Sequence, residues 1–325
     1  MVILVTGCSG FIGYHLTKSI LKKYKSTTII GLDNMNSYYD KNLKYKRKNI
    51  LLKLKSKKFK FFKIDLNNKE KINQLFKKYK FTTVYHLAAQ AGVRYSIKSP
   101  EQYINSNILG FYNILESAKK FKTKNLFFAS SSSVYGNRVQ KNKFEEKFNT
   151  DKPVSFYAAT KKTNEIMAYC YSNLYNIKII GLRFFTVYGP LGRPDMAYYK
   201  FTKKILNNEK IDLYNKGIHS RDFTYIDDAI NSILLLRKNL KKIETNFEIF
   251  NIGASNPIKL SKFISILEKY IGKKAKKKKI SFQKGDVFKT SASISRLKKI
   301  TGYRPKIGIN EGIEKFISWY RHYHK

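Results

Sequence analysis

Cysteine, proline and tryptophan are scarce in this 325-residue chain, at two, six and one residues. The two cysteines, Cys8 and Cys170, cannot build a disulfide framework, and with no Cys/His cluster beside them no structural metal site is expected. No run approaches about 18 consecutive apolar residues, so no membrane-spanning helix is expected. The opening MVILVTG has no basic leader and meets a glycine early, unlike a signal peptide. Fixed-period repeats and low-complexity linkers are missing. These absences point to a soluble, reduced, cytoplasmic protein. Acid is also scarce: 22 Asp and Glu stand against 65 Lys and Arg, for a net charge of +43. Such a balance raises the question of nucleic acid. The lysines, however, run along the whole chain beside many Asn, Ile, Tyr and Phe, all residues with A/T-rich codons. No nucleic-acid motif accompanies them, so the charge reads as composition and a solvated surface. The sharpest run, 273–279, reads as a surface helix-to-strand connection. An anionic small molecule would still be drawn to such a chain.

What is present is enough apolar residue for a sizeable core, 42% of the chain. In the first half, apolar runs at 2–6, 27–32, 59–66, 82–88 and 125–131 alternate with helical stretches at 11–24, 40–55, 69–80 and 101–120. A helix at 156–175 and a strand at 177–185 continue the pattern. Strands separated by helices imply βαβ units and a doubly wound parallel sheet. After Pro190 the texture changes to a Gly/Pro loop and shorter elements. A dinucleotide-binding α/β domain over 1–188 and a smaller α/β substrate lobe over 189–325 are therefore expected, with some segments of the second returning to the first.

Gly7-Cys8-Ser9-Gly10-Phe11-Ile12-Gly13 lies between the first strand and the first helix. Glycines there permit a tight turn, close approach of the backbone to a pyrophosphate, and close helix–strand packing. The spacing is GxxGxxG rather than GxGxxG. Asp33 closes the second strand about 20 positions later, where a carboxylate accepts from ribose hydroxyls and repels a 2′-phosphate. This favours NAD over NADP. Asp65, ending the third strand, is placed to face adenine or to cap the next helix.

Tyr157-Ala158-Ala159-Thr160-Lys161 sets a phenol and an ammonium one helical turn apart. A nearby cation favours the phenolate, so the phenol becomes a usable base. Ser130 to Ser133, at the end of the fifth strand, add hydroxyls, or form a polar strand end or turn.

With these residues in place the chain resembles an extended short-chain dehydrogenase/reductase, from Val2 to about Tyr320. Three stretches carry a narrower likeness to nucleotide-sugar epimerases acting on UDP-uronic acids, UDP-glucuronate 4-epimerases and capsule or lipopolysaccharide enzymes among them. They are Leu87 to Ser96 (LAAQAGVRYS), Ser130 to Gly136 (SSSSVYG) and Arg183 to Met196 (RFFTVYGPLGRPDM). Asp33 to Asp40 (DNMNSYYD) is similar to the same group. The resemblance implies that Tyr157 is the base, Lys161 its tuning cation and ribose contact, and Ser131 the hydroxyl on the substrate C4 oxygen. It implies cofactor contacts at Gly7, Gly10, Phe11, Ile12, Gly13, Asp33, Asn34, Asp65, Leu66, Leu87, Ala88 and Ala89, besides Tyr157 and Lys161. On the substrate side it implies Arg221 at the diphosphate, Leu213 and Tyr214 beside uracil, Asp286 near the ribose, and Arg94, Ser132 and Ser133 near the sugar. The family usually has proline where Lys284 stands.

The related dehydratases carry Asp and Glu beside the catalytic hydroxyl; Ser132 and Ser133 here are poor acids and bases. Epimerisation needs only hydride removal at C4, rotation of the 4-keto sugar and hydride return, so NAD would stay tightly bound. Thr186 and Arg193 match the uronate-binding pair of the relatives, where neutral-sugar epimerases place Asn for Thr186. The expected reaction is 4-epimerisation of UDP-glucuronate to UDP-galacturonate. The alternatives are a 4-epimerase of UDP-GlcNAc or its uronate, or another NAD-dependent nucleotide-sugar epimerase or dehydratase. Apolar positions on more than one face of helices 101–120 and 156–175, such as Ile108, Phe111, Ile114, Leu115, Met167, Tyr171 and Leu174, suggest a homodimer. No nucleic-acid partner is expected.

Overall fold

The computed structural model describes residues 1–54, 57–137, 143–214, 217–281 and 287–324. Its strands are β1 (Val2–Thr6), β2 (Thr28–Asp33), β3 (Phe59–Lys63), β4 (Thr83–His86), β5 (Asn125–Ser131), β6 (Lys178–Phe184), β7 (Thr186–Tyr188), β8 (Lys210–Tyr214), β9 (Ser220–Tyr225), β10 (Phe247–Ile252), β11 (Pro257–Lys259) and β12 (Lys276–Ile280). The α-helices are α1 (Phe11–Lys23), α2 (Lys41–Leu54), α3 (Lys69–Tyr79), α4 (Tyr95–Lys98), α5 (Pro100–Tyr103), α6 (Gly110–Lys120), α7 (Phe156–Tyr175), α8 (Ala197–Leu206), α9 (Ile226–Lys238), α10 (Leu260–Ile271), α11 (Ser295–Thr301) and α12 (Ile309–Tyr323). Two compact units result. The first holds Met1–Gly136, Asn149–Arg183 and Lys238–Phe250; the second holds Asn137–Phe148, Phe184–Arg237 and Asn251–Lys325.

The first unit is built on a seven-stranded sheet in the order β10-β6-β5-β4-β1-β2-β3. β1 pairs in parallel with β2 and β4, β2 with β3, and β4 with β5. The strand order reverses between β1 and β4, the place where doubly wound sheets bind nucleotides. The β1 run VILVT is buried from Ile3 onward, as a strand covered on both faces must be. α3 shows how a helix joins this core. Asn68 caps it by accepting from Lys71 N–H, and Ile72, Leu75 and Phe76 at helical spacing turn inward. They join a cluster with Leu4, Val84, Phe111, Ile114, Leu115 and Leu126. Burying each large side chain of this kind stabilises the fold by about 1.5–3 kcal/mol.

The single helix expected over 101–120 is interrupted. Residues Ile104–Leu109 form a π-turn between α5 and α6, with Gly110 N–H donating to the Asn105 carbonyl. A polar residue in the turn, Asn107, is buried and takes its bonds from other segments, which compensates the widened backbone. Phe111, Ile114 and Leu115 lie in the core, whereas Ile104 (41% exposed), Leu109 (48%) and Leu174 (67%) face outward.

The second unit has a three-stranded sheet, β11-β9-β7, and a two-stranded parallel pair, β12-β8. The lysine run expected as a connection forms β12 from Lys276 onward: four exposed lysines and Ile280 pair with Lys210 to Tyr214. Lysine on an edge strand also discourages pairing with foreign strands. No helix among the described residues is long and apolar enough to cross a membrane.

Candidate active site

In the first unit the glycine loop is shaped by contacts a side chain would destroy. Gly7 has φ +68°, and a Cβ there would lie 2.8 Å from Ala88 N. A Cβ at Gly13 would lie 2.1 Å from the Gly7 carbonyl oxygen. The loop is tied to β2 by Gly7 N–H donating to Leu32 O at 2.7 Å and by Ser9 N–H donating to Asp33 Oδ2 at 3.1 Å. Met35 N–H donates to the other Asp33 oxygen at 2.9 Å, so the buried carboxylate is fixed at the strand end. α1 starts at Gly10 with no side-chain cap, and Phe11 is buried behind it. Asn34 Nδ2 donates to Asp65 Oδ2 at 2.8 Å, which joins the ends of β2 and β3. The cap of α3 is Asn68, so Asp65 does not fill that alternative role. Asn113 Nδ2 holds the Leu66 carbonyl, and Thr6 Oγ1 accepts from the N–H groups of Leu87 and Ala88, with Ala89 following.

α7 brings Lys161 to the end of β5, with Tyr157 one turn before it. Ser155 caps the helix by accepting from Ala158 N–H, which fixes the first turn carrying Tyr157. Tyr157 is half-buried, with its ring edge-on to Tyr103. Lys161, one turn on, is 2% exposed and donates to the Ala129 carbonyl at 2.8 Å. Burial pushes its pKa down from 10.5 to about 7, opposed only in part by Glu165. Glu165, another turn on, accepts from Ser130 Oγ at 2.5 Å and forms a buried two-point ion pair with Arg183 at 2.8 Å. α7 thus grips consecutive residues of β5, and Ser131 comes next in line. Ser131 Oγ accepts from Ser133 N–H at 3.2 Å and starts the short turn Ser132–Tyr135. Ser132 and Ser133 are half-buried there, while Arg94 is exposed at the start of α4.

Several positioning groups went unnoticed in the sequence. Asn107 accepts from Gln90 N–H at 2.8 Å and donates to Thr160 Oγ1 at 3.0 Å, between Tyr157 and Lys161. Arg47, fully buried, donates to the Ser9 carbonyl at 3.0 Å and stiffens the glycine loop. His86 bonds Thr6 Oγ1, and burial, followed by the Lys161 charge, lowers its pKa to about 3. It is neutral at any working pH. A lone Arg in a Lys-rich helix and an Asn among apolar residues were the available signals.

In the second unit Thr186 opens β7 and pairs with Phe223 of β9, two residues beyond Arg221. The Arg221 guanidinium donates to the Ser220 carbonyl at 3.0 Å. Next to it, Asp222 is fully buried and accepts from the N–H groups of Ala254, Ser255 and Ala292, binding three segments together. Arg193 is half-buried in the loop after β7 and forms a two-point pair with Asp195, at 3.0 and 2.5 Å. Leu213 is buried on β8. The Tyr214 side chain, Lys284 and Asp286 lie outside the described residues.

Residues 3–253 match the NAD dependent epimerase/dehydratase family. The chain belongs to that family. It is 44% identical to UDP-glucuronate 4-epimerase of Thermodesulfobacterium geofontis, over 97% of this chain and 95% of the relative. It is also 44% identical to protein CapI of Staphylococcus aureus, over the full length of both. Among solved structures, UDP-glucuronic acid 4-epimerase of Bacillus cereus, in complex with UDP-glucuronic acid and NAD, matches with a TM-score of 0.92. That match is at 33% identity and covers 99% of this chain and 100% of the other.

NAD is the cofactor of this epimerase/dehydratase chain, and the residues present suit it. Gly7 and Gly13 have no room for a Cβ, the uncapped N-terminus of α1 suits a pyrophosphate, and the carboxylate of Asp33, fixed at the end of β2, suits ribose hydroxyls. Among the described residues no cluster of His, Cys, Asp or Glu is suited to a metal ion.

Proposed function

We propose that this family member is an NAD-dependent 4-epimerase that interconverts UDP-glucuronate and UDP-galacturonate. The observation that carries the reading is the α7–β5 arrangement, a half-buried Tyr157 one turn before a buried Lys161, beside a serine-lined turn with no acid. Tyr157 Oη takes the proton of the sugar 4-hydroxyl and later returns it; Ser131 hydrogen-bonds the same oxygen. Lys161 favours the phenolate form of Tyr157 when charged. NAD, when bound, supplies the acceptor that takes a hydride from C4 and gives it back to the opposite face. Because the oxidised cofactor is restored in each cycle, the protein keeps it.

The second unit selects the substrate. Arg221 neutralises the diphosphate, Leu213 and Tyr214 flank uracil, and Asp286 closes on the ribose. Thr186 and Arg193 hold the C6 carboxylate. A desolvated carboxylate needs such charged or multiple donors. A 4-keto uronate is a β-keto acid; holding its carboxylate near the carbonyl plane withholds the orbital overlap that loss of CO2 requires. The identities to CapI and to UDP-glucuronate 4-epimerase support this reading; we further propose a cytoplasmic enzyme that supplies a uronate for capsule or lipopolysaccharide. The outward apolar residues near the π-turn and on α7 (Ile104, Leu109, Tyr112, Ile166, Tyr169 and Leu174) support a homodimer formed through that face. Incubation with UDP-glucuronate, UDP-glucose and UDP-GlcNAc, followed by NMR of the products, tests the assignment. Epimerisation of UDP-glucuronate in clear preference supports it; preference for a neutral sugar refutes it.

A further inference from the structure

The guanidinium assigned to the sugar carboxylate already holds a carboxylate of its own. Arg193 Nε and Nη2 donate to the two oxygens of Asp195. The pair is mostly shielded, with side-chain exposures of 23% and 20%. The loop that carries it is held in place. Tyr198, wholly buried, accepts from Arg193 N–H at 3.1 Å, and Met196 N–H donates to the Arg193 carbonyl at 3.2 Å. Pro194 between the partners restricts the backbone further. Asp195 therefore stays within reach of Arg193 whatever else the guanidinium meets.

Epimerisation makes a particular demand on such a site. Hydride leaves one face of C4 and returns to the other, so the 4-keto ring must turn over. The carboxylate on C5 is carried with it and cannot keep one position through the cycle. Moving a half-buried guanidinium away from one carboxylate during that turn is costly unless another carboxylate takes its place. We infer that Asp195 is a place-holding carboxylate: it takes Arg193 whenever the sugar carboxylate is away, and so weakens ground-state uronate binding while easing the turn. Detachment becomes an exchange of one carboxylate for another. The inference rests on the uronate reading above. It makes Asp195 a positioning residue that tunes specificity, and a neutral sugar should be indifferent to it.

Asp195→Asn removes the charge and keeps an oxygen acceptor for Arg193. KM for UDP-glucuronate should fall roughly three- to tenfold as like-charge repulsion disappears, and kcat should fall by a comparable factor as the carboxylate is held too long. Binding of UDP-glucose should not change. A rise in KM at constant kcat would mean that Asp195 only orients Arg193 and would overturn the inference. So would unchanged constants, or equal changes on both sugars. Asp195→Ser, assayed in the same way, decides the case if Asp195→Asn does not fold. Arg193→Ala run in parallel separates the two claims. If it leaves uronate binding untouched, the uronate reading itself falls; if it weakens that binding while Asp195→Asn shifts nothing, only the place-holder falls.

Discussion

The two units differ in how they carry the groups proposed for function. In the first, Lys161, Glu165, Arg183 and Asn107 are each at most 4% exposed and are held by helices and strands. In the second, Arg193 sits in a Gly/Pro loop with its side chain 23% exposed, and Arg221 lies on a six-residue strand. Tyr157 and Lys161, proposed for the reaction, are carried by a long helix, whereas Arg193, proposed for substrate choice, is carried by a loop that can vary. The chemistry of the reaction should therefore be lost abruptly by changes in the first unit, and selectivity shifted gradually by changes in the second.

The largest effect should come from Tyr157→Phe. Loss of a general acid/base typically costs about 10²–10⁴-fold in rate, and kcat should fall by that much while NAD stays bound. A fall of less than tenfold would break the comparison at its strongest point. Gly13→Ala comes next. Its Cβ would overlap the Gly7 carbonyl, so the variant should be purified largely without nucleotide, whereas the wild type should carry NAD. Extraction and chromatography read this directly; full NAD occupancy in the variant would show that the loop yields.

Lys161→Met should separate stability from activity. The folded-state pKa is near 7 against 10.5 for the free side chain. Well below pH 7 the buried ammonium is charged in both states, and the folded state bears the whole burial penalty. Between pH 7 and 10.5 the folded lysine has given up its proton while the unfolded one keeps it, so stability recovers as pH rises. Nucleotide-free Lys161→Met should thus be more stable than wild type by about 1–4 kcal/mol at pH 7, converge with it toward pH 10, and be inactive. Denaturant melts at several pH values check the trend; a variant less stable at pH 7 contradicts it. The smallest effect concerns assembly. Leu174→Glu should shift light-scattering mass from dimer toward monomer with the first unit's chemistry intact, and an unchanged dimer would move the interface elsewhere.

How much of this was legible in the sequence differs between the units for the same physical reason. In the first unit β1 and β5 contain apolar runs and α3 carries a periodic apolar face, so these elements and α7 can be read locally. Its exception, the π-turn at Ile104–Leu109, depends on Asn107 finding partners at Gln90 and Thr160, which no local pattern announces. In the second unit β7, β9, β11 and β12 all escaped. β7 and β11 are three residues each, and β12 is a lysine run that becomes a strand only because β8 pairs with it. The glycine loop, Asp33, Tyr157 and Lys161 could be picked out as candidates because each belongs to a spaced pattern next to a strand or helix end. The ion pair of Arg193 with Asp195 was not, since adjacency in sequence says nothing of which carboxylate a guanidinium holds.

The central claim, that the first unit performs a shared chemistry and the second selects a uronate, is tested most directly by one ratio. It is kcat/KM for UDP-glucuronate over that for UDP-glucose, measured in the wild type and in Arg193→Ala. Loss of a charge-assisted contact of about 1.5–3 kcal/mol should lower the uronate value roughly ten- to a hundredfold and leave the neutral-sugar value unchanged or raised, with some UDP-pentose and CO2 released. Equal losses on both sugars would make Arg193 a structural residue and contradict the account.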